Sequence, residues 1–355
     1  MSKLNLAVIF GGMSNEHEIS LKSAVNVIKA VPEDKYNVIP IGITKKGRWL
    51  FFPGSLEEIA DGSWEQSRDC TPAVILPDPM YRGLLKYTEG QFSVEKIDAV
   101  FPVMHGKTGE DGVIQGLLEL SGIPFVGCRT TASAVCMDKT ITHAVLERAG
   151  IKMARYAIIN RNDINSLGEY AEKIVNKLGL PVFVKPAESG SSVGCSKAND
   201  IEEFKAACKT AFSHGEKVIC EEYIKARELE CAVFGSDDSD IFASDIGEIL
   251  SANEFYDFDA KYINAESKTV IHEDIIENGI SREIRETALK AFKTAGCRGL
   301  ARVDFFLKED GTFLLNEINT MPGFTEISMY PKLMEAMGIP ATELVDKLIR
   351  LAIEV

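Results

Sequence analysis

Residues 301–323 read ARVDFFLKEDGTFLLNEINTMPG, two apolar runs on either side of an Asp310-Gly311 turn. If that dipeptide is a two-residue hairpin loop, Glu309 lies opposite Thr312 and the register is fixed along both strands, with Asp304 opposite Glu317 and Arg302 opposite Asn319. The period of two gathers Arg302, Asp304 and Phe306 with Leu315, Glu317 and Asn319 on one face, and Val303, Phe305, Leu307, Leu314 and Ile318 on the other. The second face is core. The first sets two carboxylates across from each other, at Cβ separations of about 4.5–5.5 Å, where like charges repel. Charge on a half-buried sheet is costly unless paired, so the arrangement calls for a cation. Mg²⁺ takes oxygen ligands, typically one or two carboxylates plus substrate phosphates, and Asp304, Glu317 and the amide oxygen of Asn319 read as a magnesium-nucleotide platform. The alternative is a solvated hairpin face, which would suit any one of these residues better than four converging in one register.

The rest of the chain bounds the answer. Its 355 residues are 45% hydrophobic and 26% charged, with a mean hydropathy of -0.01, enough for two or three domains with sizeable cores. No apolar stretch approaches the roughly 20 residues of a membrane helix, and MSKLNLAVIFGG reads as a strand entering a glycine turn rather than a signal peptide. The eight cysteines are scattered without paired or metal-ligand spacing, which implies reduced thiols and a cytoplasmic location. A net charge of -14 argues against nucleic acid and anionic membranes as partners. An acidic chain that binds a polyanion must concentrate its cations locally.

Strand and helix patterns alternate through the first third: a strand at 4–10, a helix opened by an Asn15/Glu18 capping box and running to about 30, and strands at 37–43 and 97–104. A helix around VIQGLLELSG and a short IPFVG strand follow. This predicts a mostly parallel sheet with helices on its faces, whose ligands collect beyond the strand ends near Gly11-Gly12 and His105-Gly106. A composition shift near 125–140 opens a second unit, with helices at about 130–149, 163–178 and 200–213 and strands PVFVKP and KVICEEYI. The third unit begins at RELECAVFG. Its polar, aromatic stretch 251–268 is too long for an ordinary connection and reads as a lid.

Several smaller constellations are weak when taken singly. Lys185 ends a strand ahead of ESGSSVGCS, a small-residue loop whose N–H groups suit phosphate oxygens, although a plain turn is an equal reading. Lys139 opens a helix and would ordinarily be a solvated side chain. In EEYIKARELE a glutamate on an apolar strand, followed by a strand end, suits the edge of adenine and a ribose, with a capped strand end as the alternative. His105, Lys261 and Tyr262 have equally bland surface or turn readings.

In this order and spacing, however, HGKTGEDGVIQG, CMDK, KPAESGSSVG, GLARVDFF and NEINTMPGFT resemble the D-alanine:D-alanine ligase family of the ATP-grasp enzymes, and the likeness runs from GGMSNEHEIS to SMYPKL, essentially the whole chain. The resemblance implies a three-domain α/β fold: an N-terminal mostly parallel α/β domain (1–127), then central (128–222) and C-terminal (223–355) α+β domains that hold the nucleotide between them. It implies ATP-dependent joining of two D-alanine molecules through a D-alanyl phosphate, for peptidoglycan precursor synthesis, by a homodimer. Lys139 and Lys185 would contact the phosphates of ATP, Glu221 and the Tyr223-Ile224 backbone would read adenine, Glu228 would hold the ribose, and Phe306 and Asn316 would complete the nucleotide set. Asp304, Glu317 and Asn319 would hold two Mg²⁺ or Mn²⁺ ions. Glu16 would bind the first ammonium and form a triad with Ser191 and Tyr262 that ties the lid shut. Lys261 would reach the γ-phosphate, and His105, Arg302, the Gly323 N–H, Ser328 and Met329 would surround the reacting amino acids, with His105 as the candidate base.

One departure bears on the second substrate and makes a D-alanine:D-serine ligase of the glycopeptide-resistance type the alternative reading. Ser189 stands where many family members place an acid before GSS, and relatives that make depsipeptides or D-alanyl-D-serine often have serine there. Against that, Lys261-Tyr262 lacks the histidine of lactate-using relatives, and SMYP at 328–331 is similar to the D-alanine-using branch.

Overall fold

The structure, a computed structural model, describes residues 3–236, 240–250, 268–272 and 279–354. Lys261, Tyr262 and nearly all of the expected lid lie outside the described residues. In the first unit β1 (Leu4–Gly11), α1 (His17–Ala30), β2 (Tyr36–Ile43), β3 (Trp49–Phe51), α2 (Leu56–Asp61), β4 (Thr71–Ile75), β5 (Gly83–Thr88), β6 (Gln91–Lys96), β7 (Ala99–Val103) and α3 (Val113–Ser121) follow one another. They build a seven-stranded sheet in the order β6-β5-β4-β3-β2-β1-β7. Only β2-β1-β7 are parallel; from β2 outward each neighbour is antiparallel. The expected parallel arrangement therefore holds for the three strands that present the site loops. Residues 49–96 extend the sheet with antiparallel neighbours; β5 and β6 are joined by a two-residue turn, too short for a parallel crossover.

On β1, Leu6, Val8 and Phe10 enter one core with α1, while Ala7 and Ile9 enter a second with α3. A strand covered on both faces is why its sequence is a continuous apolar run. The helix start differs from expectation: Glu16, not Asn15, stands at the N-cap of α1, and Ser14 Oγ accepts from the Glu16 N–H at 3.0 Å. IPFVG forms a single bridge, Val100 to Phe125.

The second unit carries α4 (Thr130–Met137), α5 (Lys139–Arg148), β8 (Tyr156–Asn160), α6 (Leu167–Leu178), β9 (Val182–Pro186), β10 (Ser196–Ala198), α7 (Ile201–Phe212) and β11 (Lys217–Glu222), with an antiparallel sheet in the order β10-β9-β11-β8. The predicted helix over 130–149 is two helices. Asp138 caps the second by accepting from the Thr140 and Ile141 N–H groups, which exposes a fresh helix start at Lys139.

In the third unit, β12 (Arg227–Gly235), β13 (Phe242–Leu250), β14 (Lys268–His272), α8 (Ile280–Thr294), β15 (Gly299–Leu307), β16 (Phe313–Asn319), α9 (Met329–Ala336) and α10 (Ala341–Ile353) follow. Their antiparallel sheet runs β14-β13-β12-β15-β16. α8 packs on one face with Leu229, Cys231, Val303 and Phe305. Tyr330, Leu333, Leu344 and Leu348 of the last two helices instead join the α1 side of the first core, fastening the third unit to the first.

The hairpin that opens the sequence reading differs at its tip. Lys308 N–H donates to Thr312 O at 2.9 Å and Gly311 N–H to Lys308 O at 3.1 Å, a three-residue loop with Gly311 alone left-handed, at φ +81°. Toward the other end the ladder slips by one between Asp304 and Phe305, so Asn316 is bulged and Arg302 faces Asn319, and Asp304 faces Glu317. Between loop and bulge the faces are the reverse of the expectation. Leu315 joins Phe305 and Leu307 in the core, and Leu314 lies opposite Phe306.

Candidate active site

The faces of β9, β11, β12, β15 and β16 left uncovered by helices turn toward one another across a cleft. Lys139, Lys185, Glu221 and Asn316 line it, as do Tyr223, Ile224, Glu228 and Phe306. All eight residues expected to hold a nucleotide are thus brought together. Lys185 is buried against Glu221, Nζ to Oε2 at 2.6 Å, and the other carboxylate oxygen is 3.0 Å from His143 Nε2. Burial works against charge on Glu221, but Lys185 and His143 outweigh it and hold its pKa at about 2. Lys185 also donates to Asn316 Oδ1 at 3.4 Å. His143 is absent from the sequence reading. Its signal was available: it stands four residues after Lys139 on α5, hence on the same helix face.

The loop after Lys185 turns sharply, with Ser191 and Ser192 at φ +48° and +57°, a region rare for residues with a side chain. Lys139 Nζ donates to the carbonyl of Ser189 at 2.8 Å and stands 3.5 Å from Glu317 Oε2. The twist aims Ser191 Oγ at Glu16, to which it donates a hydrogen bond. Of the expected triad, Glu16 and Ser191 meet; Tyr262 is outside the described residues.

Beyond this loop lies a second cavity, lined by Glu16, His105, Arg302, Gly323, Ser328 and Met329. The two spaces share Lys139, Ser189, Ser191 and Glu317 as walls. Gly106 and Gly190 make room for the Glu16 carboxylate: a Cβ would fall 2.2 Å and 2.9 Å from its Oε2. His105 is buried, its Nδ1 donating to Met321 O at 3.1 Å and its Nε2 2.9 Å from Ser23 Oγ. Burial disfavours its charge, but Glu110, 3.5 Å away, and Glu16 push its pKa up. His105 has both ring nitrogens engaged by neighbouring oxygens. It ties the segment 321–324 to α1, where Ser23 Oγ also accepts from Phe324 N–H at 3.2 Å. Glu110, unremarked in the sequence, lines the same cavity.

On the sheet, Arg302 grips Asp304 with two parallel hydrogen bonds, Nε to Oδ1 at 2.8 Å and a terminal nitrogen to Oδ2 at 2.7 Å. Asn319 turns its amide nitrogen, not its oxygen, to Asp304 Oδ2 at 2.9 Å. Among the described residues no three acidic, histidine or cysteine side chains are grouped to hold a metal by themselves. Two carboxylates and an amide beside a cleft lined by Lys139 and Lys185 are a donor set that fits Mg²⁺, an ion that typically completes its shell from phosphates and water. The third acid in this row, Glu230 of β12, faces Asp304 from the other side. Sequence reading passed over it because the β12–β15 pairing is not visible locally, although the alternation of Glu228, Glu230 and Ala232 with Leu229, Cys231 and Val233 marks its face.

Comparison with known proteins places the sequence and the fold. Residues 5–128 match the family model described as D-ala D-ala ligase N-terminus, and residues 145–350 its C-terminus counterpart. The D-alanine--D-alanine ligase of Acetivibrio thermocellus is 49% identical over 99% of this chain and 96% of its own length; that of Caldicellulosiruptor bescii is 46% identical over 100% and 96%. Among solved structures, the VanG D-Ala:D-Ser ligase from Enterococcus faecalis superposes with a TM-score of 0.88 at 38% identity, covering 99% of this chain and 100% of that one. The D-alanine-D-alanine ligase from Coxiella burnetii gives 0.85 at 35% identity, over 99% and 96%.

Proposed function

The chain belongs to the D-alanine–D-alanine ligase family, and on that premise we propose how it joins two D-alanine molecules with ATP to supply D-alanyl-D-alanine for peptidoglycan. The observation that carries the mechanism is the shared wall: Lys139, Ser191 and Glu317 border both the nucleotide cleft and the amino-acid cavity. A γ-phosphate in one space therefore meets a carboxylate in the other.

A carboxylate is a poor electrophile. The first D-alanine, held by its ammonium on Glu16, attacks the γ-phosphoryl with a carboxylate oxygen, giving an acyl phosphate and ADP. Lys139 and Lys185 hold the phosphates, with Glu221 keeping Lys185 charged and in place. The Tyr223-Ile224 backbone and Glu221 form the adenine end, Glu228 meets the ribose, and Phe306 and Asn316 close the cleft. Asp304, Glu317 and Asn319 would hold two Mg²⁺ or Mn²⁺ ions, which supply charge neutralisation at the phosphates. Arg302 and the Gly323 N–H stabilise the oxyanion that develops when the second amine attacks the acyl carbon and phosphate leaves. Ser328 and Met329 bound the second substrate, and His105 and Glu110 hold the rear wall. Lys261 and Tyr262, from the segment proposed as the lid, complete the enclosure that keeps water from the acyl phosphate.

The three sheets support a division into 1–127, 128–222 and 223–355, and among the described residues no helix is long and apolar enough to cross a membrane. A cytoplasmic homodimer is the proposed state. The test is incubation with ATP, Mg²⁺, D-alanine and an equal mixture of D-serine and D-lactate, with products identified by mass. D-Alanyl-D-alanine should appear with one ADP per dipeptide; ADP release without dipeptide would refute the ligation reading.

A further inference from the structure

Glu230, Asp304 and Glu317 stand side by side across β12, β15 and β16. Arg302 is set against this row. It spends its Nε–H on Asp304 Oδ1 at 2.8 Å, while Glu230 Oε2 lies 3.0 Å from the same nitrogen. A guanidinium Nε carries one hydrogen, so the two carboxylates compete for it and Asp304 holds it. Glu230 is 5% exposed and lines the amino-acid cavity.

The roles given above to Asp304 and Arg302, on which this inference rests, make opposed demands. A divalent cation on the Asp304 carboxylate repels a guanidinium bonded to the same two oxygens, because like charges now share one counter-charge. Were Arg302 to let go, it would leave the place where the oxyanion forms. We propose that Glu230 is the positioning residue that takes over Arg302 when a cation engages Asp304. The Nε–H tilts from Asp304 Oδ1 to Glu230 Oε2, already within hydrogen-bond reach, and the guanidinium stays over the cavity. The absence of a Cβ at Gly247, the residue facing Glu230 on β13, leaves that end of the row to the Met329 side chain. The exchange needs no change in strand register.

The test compares Glu230→Gln, which keeps the shape and an acceptor, with Glu230→Ala, which removes both. Mn²⁺ is titrated into each protein with ADP present and free Mn²⁺ read by electron paramagnetic resonance; kcat and KM for D-alanine are measured in parallel. Glu230→Ala should bind Mn²⁺ roughly 10- to 100-fold more weakly and lose kcat by a similar factor with KM for the first D-alanine unchanged, as expected when the partner of a site residue is removed. Glu230→Gln should fall between alanine and wild type in both. In the wild type the Arg302 Nε–H resonance should shift and stay sharp on adding Mg²⁺ and ADP; in Glu230→Ala it should broaden. Glu230→Met fills the same space without an acceptor and replaces the alanine variant if that one does not fold. Mn²⁺ binding at wild-type strength in Glu230→Ala, or equal losses in Gln and Ala, would overturn the proposal. The titration uses no D-alanine, so its result is separable from whether the chain joins amino acids.

Discussion

Asp304 faces Glu317 across β15 and β16 at the last residue pair before the ladder slips, so Asn316 stands opposite no residue of β15. A bulge turns two successive side chains to one side of a strand. Here those are Asn316, which reaches Lys185, and Glu317, which reaches toward Lys139. Asn316→Ala should keep the register and remove both the Lys185 contact and the Asn316 side chain from the nucleotide cleft. A single long hydrogen bond to a charged group is worth about 1 kcal/mol. Nucleotide affinity, measured by calorimetry, should therefore fall severalfold while the melting temperature hardly moves.

The same hairpin shows what was legible in the sequence. Its closing loop holds three residues where the Asp-Gly signal suggested two, because a two-residue turn of that kind needs both central residues left-handed and only Gly311 is. Asp310 instead accepts from Thr312 N–H at 2.9 Å. The extra loop residue and the extra bulge residue cancel, so the pairing of Asp304 with Glu317 was anticipated correctly while Leu314 and Leu315 were assigned to the wrong faces. Local period and turn chemistry carry no information about a compensating bulge. Nor do they show which strand lies beyond β15, and so Glu230 went unread. Glu16, Ser191 and Arg302 came together as expected because the motif spacing of a whole family, rather than any local pattern, located them.

The Lys185–Glu221–His143 cluster should shape acid stability. The folded pKa of Glu221, about 2, lies below its usual 4.5, so the stabilisation is fully present above about 4.5 and is lost as pH falls toward 2. At about 1.4 kcal/mol per pKa unit this amounts to about 3 kcal/mol at neutral pH. Urea unfolding across that range should show a steep loss of stability that Glu221→Gln flattens. A variant with the same slope as wild type would remove Glu221 as its source.

Gly106 is a steric test of the first-substrate pocket. An alanine there would meet Glu16 Oε2 at 2.2 Å with φ at +68°, whereas at Gly338, φ +81°, a Cβ meets nothing within 4 Å. Both substitutions carry backbone strain of about 1–2 kcal/mol. Only Gly106→Ala should also displace Glu16, raising KM for the first D-alanine at least tenfold on an interaction worth about 1.4 kcal/mol or more, with ATP affinity unchanged. Steady-state kinetics on the pair separates the two effects.

Selectivity for the second amino acid should follow Met329 rather than Ser189. The Ser189 hydroxyl is turned into its own loop, donating to Val193 O at 3.0 Å, and the Ser328 hydroxyl accepts from Thr325 N–H at 3.0 Å. Met329 is the apolar wall, seated where β13 has no side chain: a Cβ on Gly247 would lie 2.5 Å from its sulfur. A pocket that merely fails to bond a hydroxyl discriminates by about a hundredfold at best, so D-alanyl-D-alanine should dominate with D-alanyl-D-serine detectable at high D-serine. Gly247→Ala should push Met329 into the cavity and raise KM for the second D-alanine with little effect on the first. Met329→Arg should shift the product ratio toward D-alanyl-D-serine by supplying a donor for the hydroxyl. Mass analysis of products at equal D-alanine and D-serine decides the matter. A wild-type preference for D-serine, unmoved by either substitution, would mean that Met329 does not select and that the serine at 189 was the informative departure.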